Sequence, residues 1–222
     1  MTLGSTLASA EEYGIPYYSV GNLTADSGSI TPTGSQPIDW SIQHPSSVSD
    51  YINFNPTTGA LTTNRDLRIT MHVVGVGTEG HLHHSKVAFF GALNGGSWLN
   101  LFSGSPLNQS AHLAVFEQDV PANTSIQLSG RRLGEYGTWL ESRTSTTGAG
   151  RFVEGLQRGD EAPATIINAP QPATAAYLST EAGNNTIQLG PMQMLFCFEL
   201  NAGGEGEHKY NLQDLVVLVS FE

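Results

Sequence analysis

The chain has 222 residues, of which 13% are charged, and its formal net charge at neutral pH is −11 with only nine Lys plus Arg. Nucleic-acid binding relies on many cationic contacts to phosphate, and the longest basic run here is Arg131-Arg132, so we expect no nucleic-acid partner. The negative charge also disfavours anionic membranes, and no apolar stretch approaches the ~20 residues of a membrane helix, so we expect no membrane partner.

The first 46 residues are rich in Gly, Ser, Thr and Pro, and their strand-like pieces are limited to Val20–Leu23 and Ile38–Ile42. We predict that residues 1–46 form an extended N-terminal arm that lies over a surface such as that of a neighbouring subunit. A loose tail is the alternative. The folded domain is then expected to span residues 47–222. The N-terminus has no basic stretch followed by an apolar core, so no secretory signal is predicted.

The clearest strand signals lie between residues 51 and 139. Residues 67–73 alternate apolar and polar side chains, a period of two that buries one face of a strand. Val87–Leu93 and Trp98–Phe102 flank Asn94-Gly95, a pair that tolerates the positive φ angles of a hairpin turn. Two more strand-like runs follow at Ala111–Phe116 and Ile126–Leu128.

The C-terminal part begins with a stretch rich in Thr, Gly, Ala and Pro that extends to about residue 185 and is expected to be mostly loop. Two strands follow, Met192–Leu200 and Leu215–Phe221. The second is apolar on both faces, which predicts a central position in a sheet. The single cysteine, Cys197, lies within the first of these strands and is expected to be a buried, inert thiol. Because no segment has helical spacing over more than two turns, the predicted fold is all-β.

The segment Asn55–Val74 resembles the front half of a C1q/TNF-like jelly-roll β-sandwich. In that family an aromatic-Asn start precedes a Thr-Gly turn, a short strand and a long alternating strand; Phe54, Gly59, Leu61 and residues 67–73 stand at those positions. The likeness continues through Val87–Leu93, the small-residue run Ser110–Phe116 and a turn before residue 126, so that it covers about residues 51–130.

The resemblance implies a homotrimer, because such modules commonly trimerise. It is also of the kind found in bacteriophage and other viral capsid decoration (cement) proteins and spikes. We therefore expect a non-enzymatic virion structural protein, a trimeric decoration or minor capsid protein on the outer surface of the capsid. Its partners would be the major capsid protein or other virion proteins. The alternative is the receptor- or glycan-binding head of a phage fibre, spike or adhesin, with a host-surface glycan as the partner.

Two motifs are candidates for cofactor or metal binding. Residues 75–80 match the dinucleotide-binding pattern G-x-G-x-x-G, but a strand is predicted after it where a helix is required, so we expect a Gly-rich turn and no cofactor. His81 and His83 share a face on an extended chain and are the best, though weak, candidates for metal ligands, with Glu79 and His72 nearby in sequence. An exposed polar loop is the simpler interpretation, and no metal is expected.

Two further groups of residues have a structural interpretation. The acidic residues Glu205, Glu207 and Asp214 are expected to be solvated and not to form a calcium site. Core packing is the expected position of each tryptophan, although aromatic rings exposed on the surface would point to a sugar-binding role. The candidates for such rings are Tyr13, Tyr17, Tyr18, Trp40, Trp98, Tyr136 and Trp139.

Overall fold

The structure, a computed structural model, describes residues 20–25, 38–43, 47–77, 86–105, 114–134, 136–168, 171–179, 184–201 and 211–222. The chain divides into two compact units, residues 1–46 and 47–222. In the first unit β1 (Val20–Ala25) pairs antiparallel with β2 (Ile38–Gln43), which places Val20 opposite Gln43. That residues 1–46 act as an arm over a neighbouring subunit stays a prediction.

The second unit is built almost entirely of strands. Among its described residues a 3-10 turn, Val48–Asp50, precedes the strands, and two short helices, α1 (Ala164–Asn168) and α2 (Pro172–Ala175), lie late in the chain. The strands are β3 (Ile52–Asn55), β4 (Ala60–Thr63), β5 (Leu67–Gly75), β6 (Val87–Leu93), β7 (Leu99–Gly104), β8 (Ala114–Val120), β9 (Ser125–Arg132), β10 (Arg143–Thr144), β11 (Val153–Gln157), β12 (Gln193–Phe198) and β13 (Leu215–Phe221).

These strands form two antiparallel sheets. Sheet I has the order β3-β4-β9-β6-β7, with the short β10 paired to β9, and sheet II has the order β11-β12-β13-β5-β8. The chain passes from one sheet to the other after β4, β5, β7, β8 and β10, so hydrogen-bonded neighbours such as β4 and β9 are distant in sequence. The predicted all-β fold is confirmed at the level of two antiparallel sheets with almost no helix.

The strongest sequence patterns form the strands that they predict. Val87–Leu93 and Leu215–Phe221 are β6 and β13 with the predicted bounds, and β13 lies between β12 and β5, as expected of a strand that is apolar on both faces. Asn94 and Gly95 adopt φ angles of 51° and 66° in the turn from β6 to β7, as the hairpin prediction requires. Two strands were missed, β10 and β11, which lie in the stretch expected to be mostly loop. β10 is only two residues long, and in β11 Gly155 interrupts a run with little alternation.

The hydrophobic core lies between the two sheets. Along β5 the alternate residues from Leu67 to Val73 are buried, which is the face that the period of two predicts. Two aromatic pairs join the sheets edge to face: Phe54 with Phe196 at a centroid distance of 6.0 Å, and Phe89 with Phe198 at 6.4 Å. Each fully buried side chain of this size contributes about 1.5–3 kcal/mol, so the interior of the sandwich supplies most of the driving force for folding.

The opposite face of sheet II is also buried along β12 and β13. Leu195 and Cys197 on β12 and Val216 on β13 have almost no exposed surface, as has Ile166 of α1. Helix α2 contacts β5, so the helical segment supplies part of this cover. The prediction of a buried Cys197 is confirmed, and burial raises the pKa of its thiol to about 12, which makes it a poor nucleophile.

Gly59, in the turn between β3 and β4, offers a test of this packing. Its φ is +62°, and a Cβ built on it would lie 1.7 Å from the carbonyl oxygen of Ser145. Gly95 has a similar φ of +66°, but nothing lies within 4 Å of its Cβ position. We expect Gly59→Ala to lower the free energy of unfolding by about 3 kcal/mol or more, since the strained φ and the clash add. Gly95→Ala should cost about 1 kcal/mol. Equal losses in urea denaturation would contradict this packing.

Candidate functional site

The residues singled out for metal and cofactor chemistry are only partly described. His81, His83 and Glu79 lie outside the described residues, as does Gly80, so the structure leaves the weak metal prediction untested. Within the described ranges no group of three or more His, Cys, Asp or Glu side chains is placed to hold a metal ion. Of the glycine motif, Gly75 ends β5 and the Gly77 N–H donates to the Asp214 carbonyl at 3.2 Å.

The most distinctive surface of the second unit is one edge of the sandwich, where β7 ends sheet I and β8 ends sheet II. The two strands contact each other across the sandwich. Leu99 on β7 is 52% exposed, and the preceding Trp98 is 43% exposed. We call this surface the β7/β8 edge. Its other apolar side chains are half-buried and also pack on the core: Leu101, Phe102, Val115 and Phe116.

Irregular strand pairing contributes to this edge. The register between β6 and β7 shifts after Phe89, so that Leu101 is left without a partner residue on β6. The register between β5 and β8 shifts after Met71, and Val115 is the residue left without a partner on β5. A bulge changes the direction of the side chains beside it. Both irregularities therefore occur beside the apolar residues of the β7/β8 edge.

The opposite edge of the sandwich, formed by β3 and β11, is different. Asn53 and Asn55 of β3 are exposed and Gln157 of β11 is half-buried, so polar side chains dominate. Its large apolar residue, Phe54, reaches across to Phe196 and fills the space above Gly155, where a Cβ would lie 2.5 Å from the Phe54 ring. This edge is closed by its own side chains, whereas the β7/β8 edge leaves apolar surface open to solvent.

Charged residues border the β7/β8 edge on the side of sheet II. Arg68 of β5 forms an ion pair with Glu117 of β8, and its other terminal nitrogen lies 3.8 Å from Asp119. All three side chains are well exposed, so the pairs contribute little to stability. An apolar centre with a charged border is the usual composition of a protein–protein interface.

A second polar group is buried at the ends of β12 and β13. The Glu199 carboxylate accepts backbone N–H bonds from Asn201 at 3.0 Å, Asn211 at 2.8 Å and Leu212 at 3.3 Å. Leu212 has a φ of +56°, an unfavourable conformation for a side chain of this size, and these bonds hold it there. The Glu199 carboxylate thus accepts hydrogen bonds from backbone N–H groups of the turn that leads into β13.

Asp214 lies beside Glu199 and is fully buried, so the expectation of a solvated Asp214 is wrong. Its Oδ2 accepts bonds from the Leu200 N–H at 2.8 Å and from the Asn201 side-chain amide at 2.9 Å. Burial, and then the charge of Glu199, raise the pKa of Asp214 from 3.8 to about 8, while the Arg132 charge acts in the opposite direction. Its other oxygen, Oδ1, is buried and has no hydrogen-bond partner among the described residues, an environment that favours the uncharged, protonated form of this carboxyl group.

This carboxyl pair predicts a dependence of stability on pH. Between about pH 4 and pH 8 folded Asp214 keeps a proton that the unfolded chain releases, so the contribution of this group falls as pH rises and is lost above about 8. In this range the free energy of unfolding should fall by at most about 1.4 kcal/mol per pH unit. Asp214→Asn keeps an acceptor for the Leu200 N–H and removes the titrating group, so the free energy of unfolding measured by urea denaturation should depend less on pH between pH 5 and 8. Asp119→Asn, at an exposed position, is the control; equal slopes in both variants would refute the assignment.

The tryptophans depart from the expectation of core packing. Trp98 and Trp139 are 43% and 37% exposed, and Tyr136 is 92% exposed, so the expectation is wrong for these two tryptophans. The side chain of Trp40, and Tyr13, Tyr17 and Tyr18, lie outside the description. The expectation depended on the hydrophobicity of the tryptophan side chain alone. Here Trp98 follows the hairpin turn, and Trp139 closes a short loop beside Arg131.

Two open depressions accompany these surfaces. One, of about 440 Å³, lies along the β3 edge and is lined mainly by polar residues such as Asn53, Asn55 and Gln157. The other, of about 550 Å³, lies beside Arg68, Asp119 and the C-terminal Glu222. Neither one brings a nucleophile together with an oriented base, the arrangement that covalent catalysis requires.

Searches against protein-family models, curated proteins and solved structures find no match to this chain. Among the described residues no helix is long and apolar enough to cross a membrane.

Proposed function

We propose that the chain is a virion structural protein, a homotrimer that decorates the outer surface of a capsid and stabilises the shell through protein–protein contacts. The observation that carries the proposal is the contrast between the two sandwich edges. The β7/β8 edge exposes Leu99 and Trp98, whereas the β3/β11 edge is polar and covered by Phe54. Exposed apolar surface of this kind, bordered by charge, is typical of an interface between proteins.

The finer fold in this proposal is a jelly roll. The strand pairs β6/β7, β5/β8 and β4/β9 are nested in sequence, one inside the next, and they alternate between sheet I and sheet II. A two-stranded ribbon that wraps around a barrel-like core gives this order, and it is the principle of a double-sheet jelly roll. β12 and β13 both follow β9 in sequence, so they lie outside this nested series and extend sheet II beside β5.

The proposed occupant of the β7/β8 edge is a second copy of the chain. When one edge of each copy packs against a different surface of the next, the contact is heterologous, and it forms a ring of three when each copy is rotated by a third of a turn from the last. Three copies are proposed because the C1q/TNF-like resemblance of residues 51–130 implies trimers. The chain carries a charge of −11, so three copies repel one another, and the trimer should weaken as ionic strength is lowered.

An outer position on the shell suits the charge of the chain. Proteins that face a packaged genome present cations to phosphate, and this sequence has nine Lys plus Arg against twenty Asp plus Glu. Decoration proteins instead repeat a modest contact many times by symmetry, so that weak interfaces together hold the shell. The proposed partner is accordingly the major capsid protein or another virion protein.

The oligomeric state tests this proposal first. Multi-angle light scattering at about 10 µM is expected to return three times the 23.7 kDa mass of one chain. A mass near 23.7 kDa at physiological salt would show a monomer and contradict self-association through the β7/β8 edge.

The exposed Tyr136 and Trp139 favour a second candidate, the receptor- or glycan-binding head of a fibre, spike or adhesin. Copy number in a native particle separates the two: a decoration protein is present in many copies, and a binding head in few.

A further inference from the structure

A short loop after β9 presents two aromatic side chains. Leu133 and Trp139 form a β-bridge across it, and inside the bridge the Gly134 N–H donates to the Thr138 carbonyl at 2.8 Å. Gly137, with φ +73°, donates back to the Gly134 carbonyl at 3.0 Å. The loop is therefore closed by its own backbone, and Tyr136 at its tip is 92% exposed without serving any packing role.

Arg131 of β9 lies beside this loop. Its guanidinium carbon is 4.7 Å from the centre of the Trp139 ring and 5.0 Å from that of Phe90 on β6, so the cation contacts two aromatic rings. The buried Nε of Arg131 has no hydrogen-bond partner in the described structure. Cation–π contacts of this kind fix the guanidinium in place but leave its N–H groups unused as donors.

Two cationic residues lie beside this loop. The exposed Lys86 comes directly before β6, and its carbonyl accepts the Leu133 N–H at 2.7 Å, so both cations flank the start of the loop. Among the described residues neither Lys86 nor Arg131 forms a salt bridge, and the nearest described acid along the chain, Glu141, is paired with Arg143. Glu135, within the loop, lies outside the described residues. Two cations that pair with no described acid, in a protein of net charge −11, favour an anionic ligand.

We propose that Tyr136, Trp139 and Arg131 form a binding site for an acidic sugar, a pyranose that carries a carboxylate. The exposed aromatic rings suit the apolar C–H face of a pyranose ring. The guanidinium of Arg131, which the two aromatic rings fix in place, suits the carboxylate of the sugar, because a carboxylate accepts paired N–H bonds from arginine. Lys86 adds a second positive charge. This site goes beyond shell decoration and lies on loop residues that the β7/β8 edge does not use.

The test uses full-length protein and saturation-transfer NMR with 3′-sialyllactose and digalacturonic acid, with lactose as the uncharged comparison. We expect saturable binding of at least one carboxylated sugar, at least tenfold weaker binding of lactose, and loss of a factor of ten in affinity in Arg131→Gln and Trp139→Ala. Tyr136→Ala, at an almost fully exposed position, should leave the free energy of unfolding unchanged within ~0.5 kcal/mol and weaken binding about threefold. Trp98→Phe is the matched control and should bind as the unaltered chain does.

Several outcomes would overturn the site. These are no saturable signal for either acidic sugar at 20 mM, equal binding of lactose, and unaltered affinity in both Tyr136→Ala and Arg131→Gln. Tighter binding of a poly-glutamate peptide than of either sugar would also overturn it and assign the surface to an acidic protein partner. Because none of these measurements depends on oligomeric state, the site can fail while the proposed trimer stands, and the reverse also holds.

Discussion

Replacing Leu99 by Glu is expected to convert the proposed trimer into monomers. In the isolated chain Leu99 is 52% exposed on an edge strand, so a glutamate there remains solvated and the free energy of unfolding should change by no more than ~0.5 kcal/mol. In the assembled state the same carboxylate would be buried against a neighbouring copy without a partner, a cost of several kcal/mol at each of three interfaces. Light scattering should therefore show at least a hundredfold rise in the dissociation constant.

The matched control for this change lies on the other edge of the sandwich. Asn53→Glu adds the same charge to an exposed position of β3, the edge strand of sheet I that lies farthest from β7. This variant should remain as oligomeric as the unaltered chain. If Leu99→Glu leaves the mass unchanged, or if both variants dissociate equally, the β7/β8 edge is not the contact between copies.

Replacing Glu199 by Ala is expected to give the largest loss of stability. The side chain is fully buried, and its carboxylate accepts three backbone N–H bonds from residues 201, 211 and 212. Each buried donor left without a partner costs about 1–3 kcal/mol, so we expect the free energy of unfolding to fall by about 3–5 kcal/mol. The strained φ of +56° at Leu212 would also lose the bond that holds it.

Urea denaturation of Glu199→Ala and of two comparison variants measures this effect. Glu141→Ala removes an exposed acid whose partner is Arg143 and should change stability by no more than ~0.5 kcal/mol. Glu199→Gln keeps one acceptor oxygen and should fall between the two. A loss below 1 kcal/mol in Glu199→Ala would show that the turn into β13 does not depend on this carboxylate.

The sequence predicts those parts of the fold that follow from local pattern. The period of two in β5, the Asn94-Gly95 turn and the two-sided apolar run of β13 each depend on neighbouring residues alone, and each is found as predicted. β11 could not be predicted in the same way. Its pairing with β12 brings Gly155 opposite Phe196, and the position of that glycine makes sense only once Phe54 from sheet I occupies the space above it.

The candidate surfaces depend on long-range pairing and were harder to infer. In the sequence Asp214 resembles a surface acid, because a segment rich in Gly and Glu precedes it, and only the pairing of β12 with β13 brings it beside Glu199. Likewise the sequence gives no signal that β7 and β8 end their sheets, so the exposure of Leu99 and Trp98 could not be foreseen. The sequence signal that indicates an exposed Trp98 is its position just after a predicted hairpin turn, where side chains are often open to solvent.

The central proposal is that the chain stabilises a capsid from outside, and thermal rupture of particles tests it most directly. Particles assembled with the chain, without it and with Leu99→Glu would be heated while a dye reports exposure of the packaged genome. The proposal predicts particles of normal size in all three samples, with rupture at a clearly lower temperature when the chain is absent and an intermediate temperature with Leu99→Glu. Particles that rupture at the same temperature in all three samples, yet fail to adsorb to host cells without the chain, would contradict shell decoration and support the binding-head alternative.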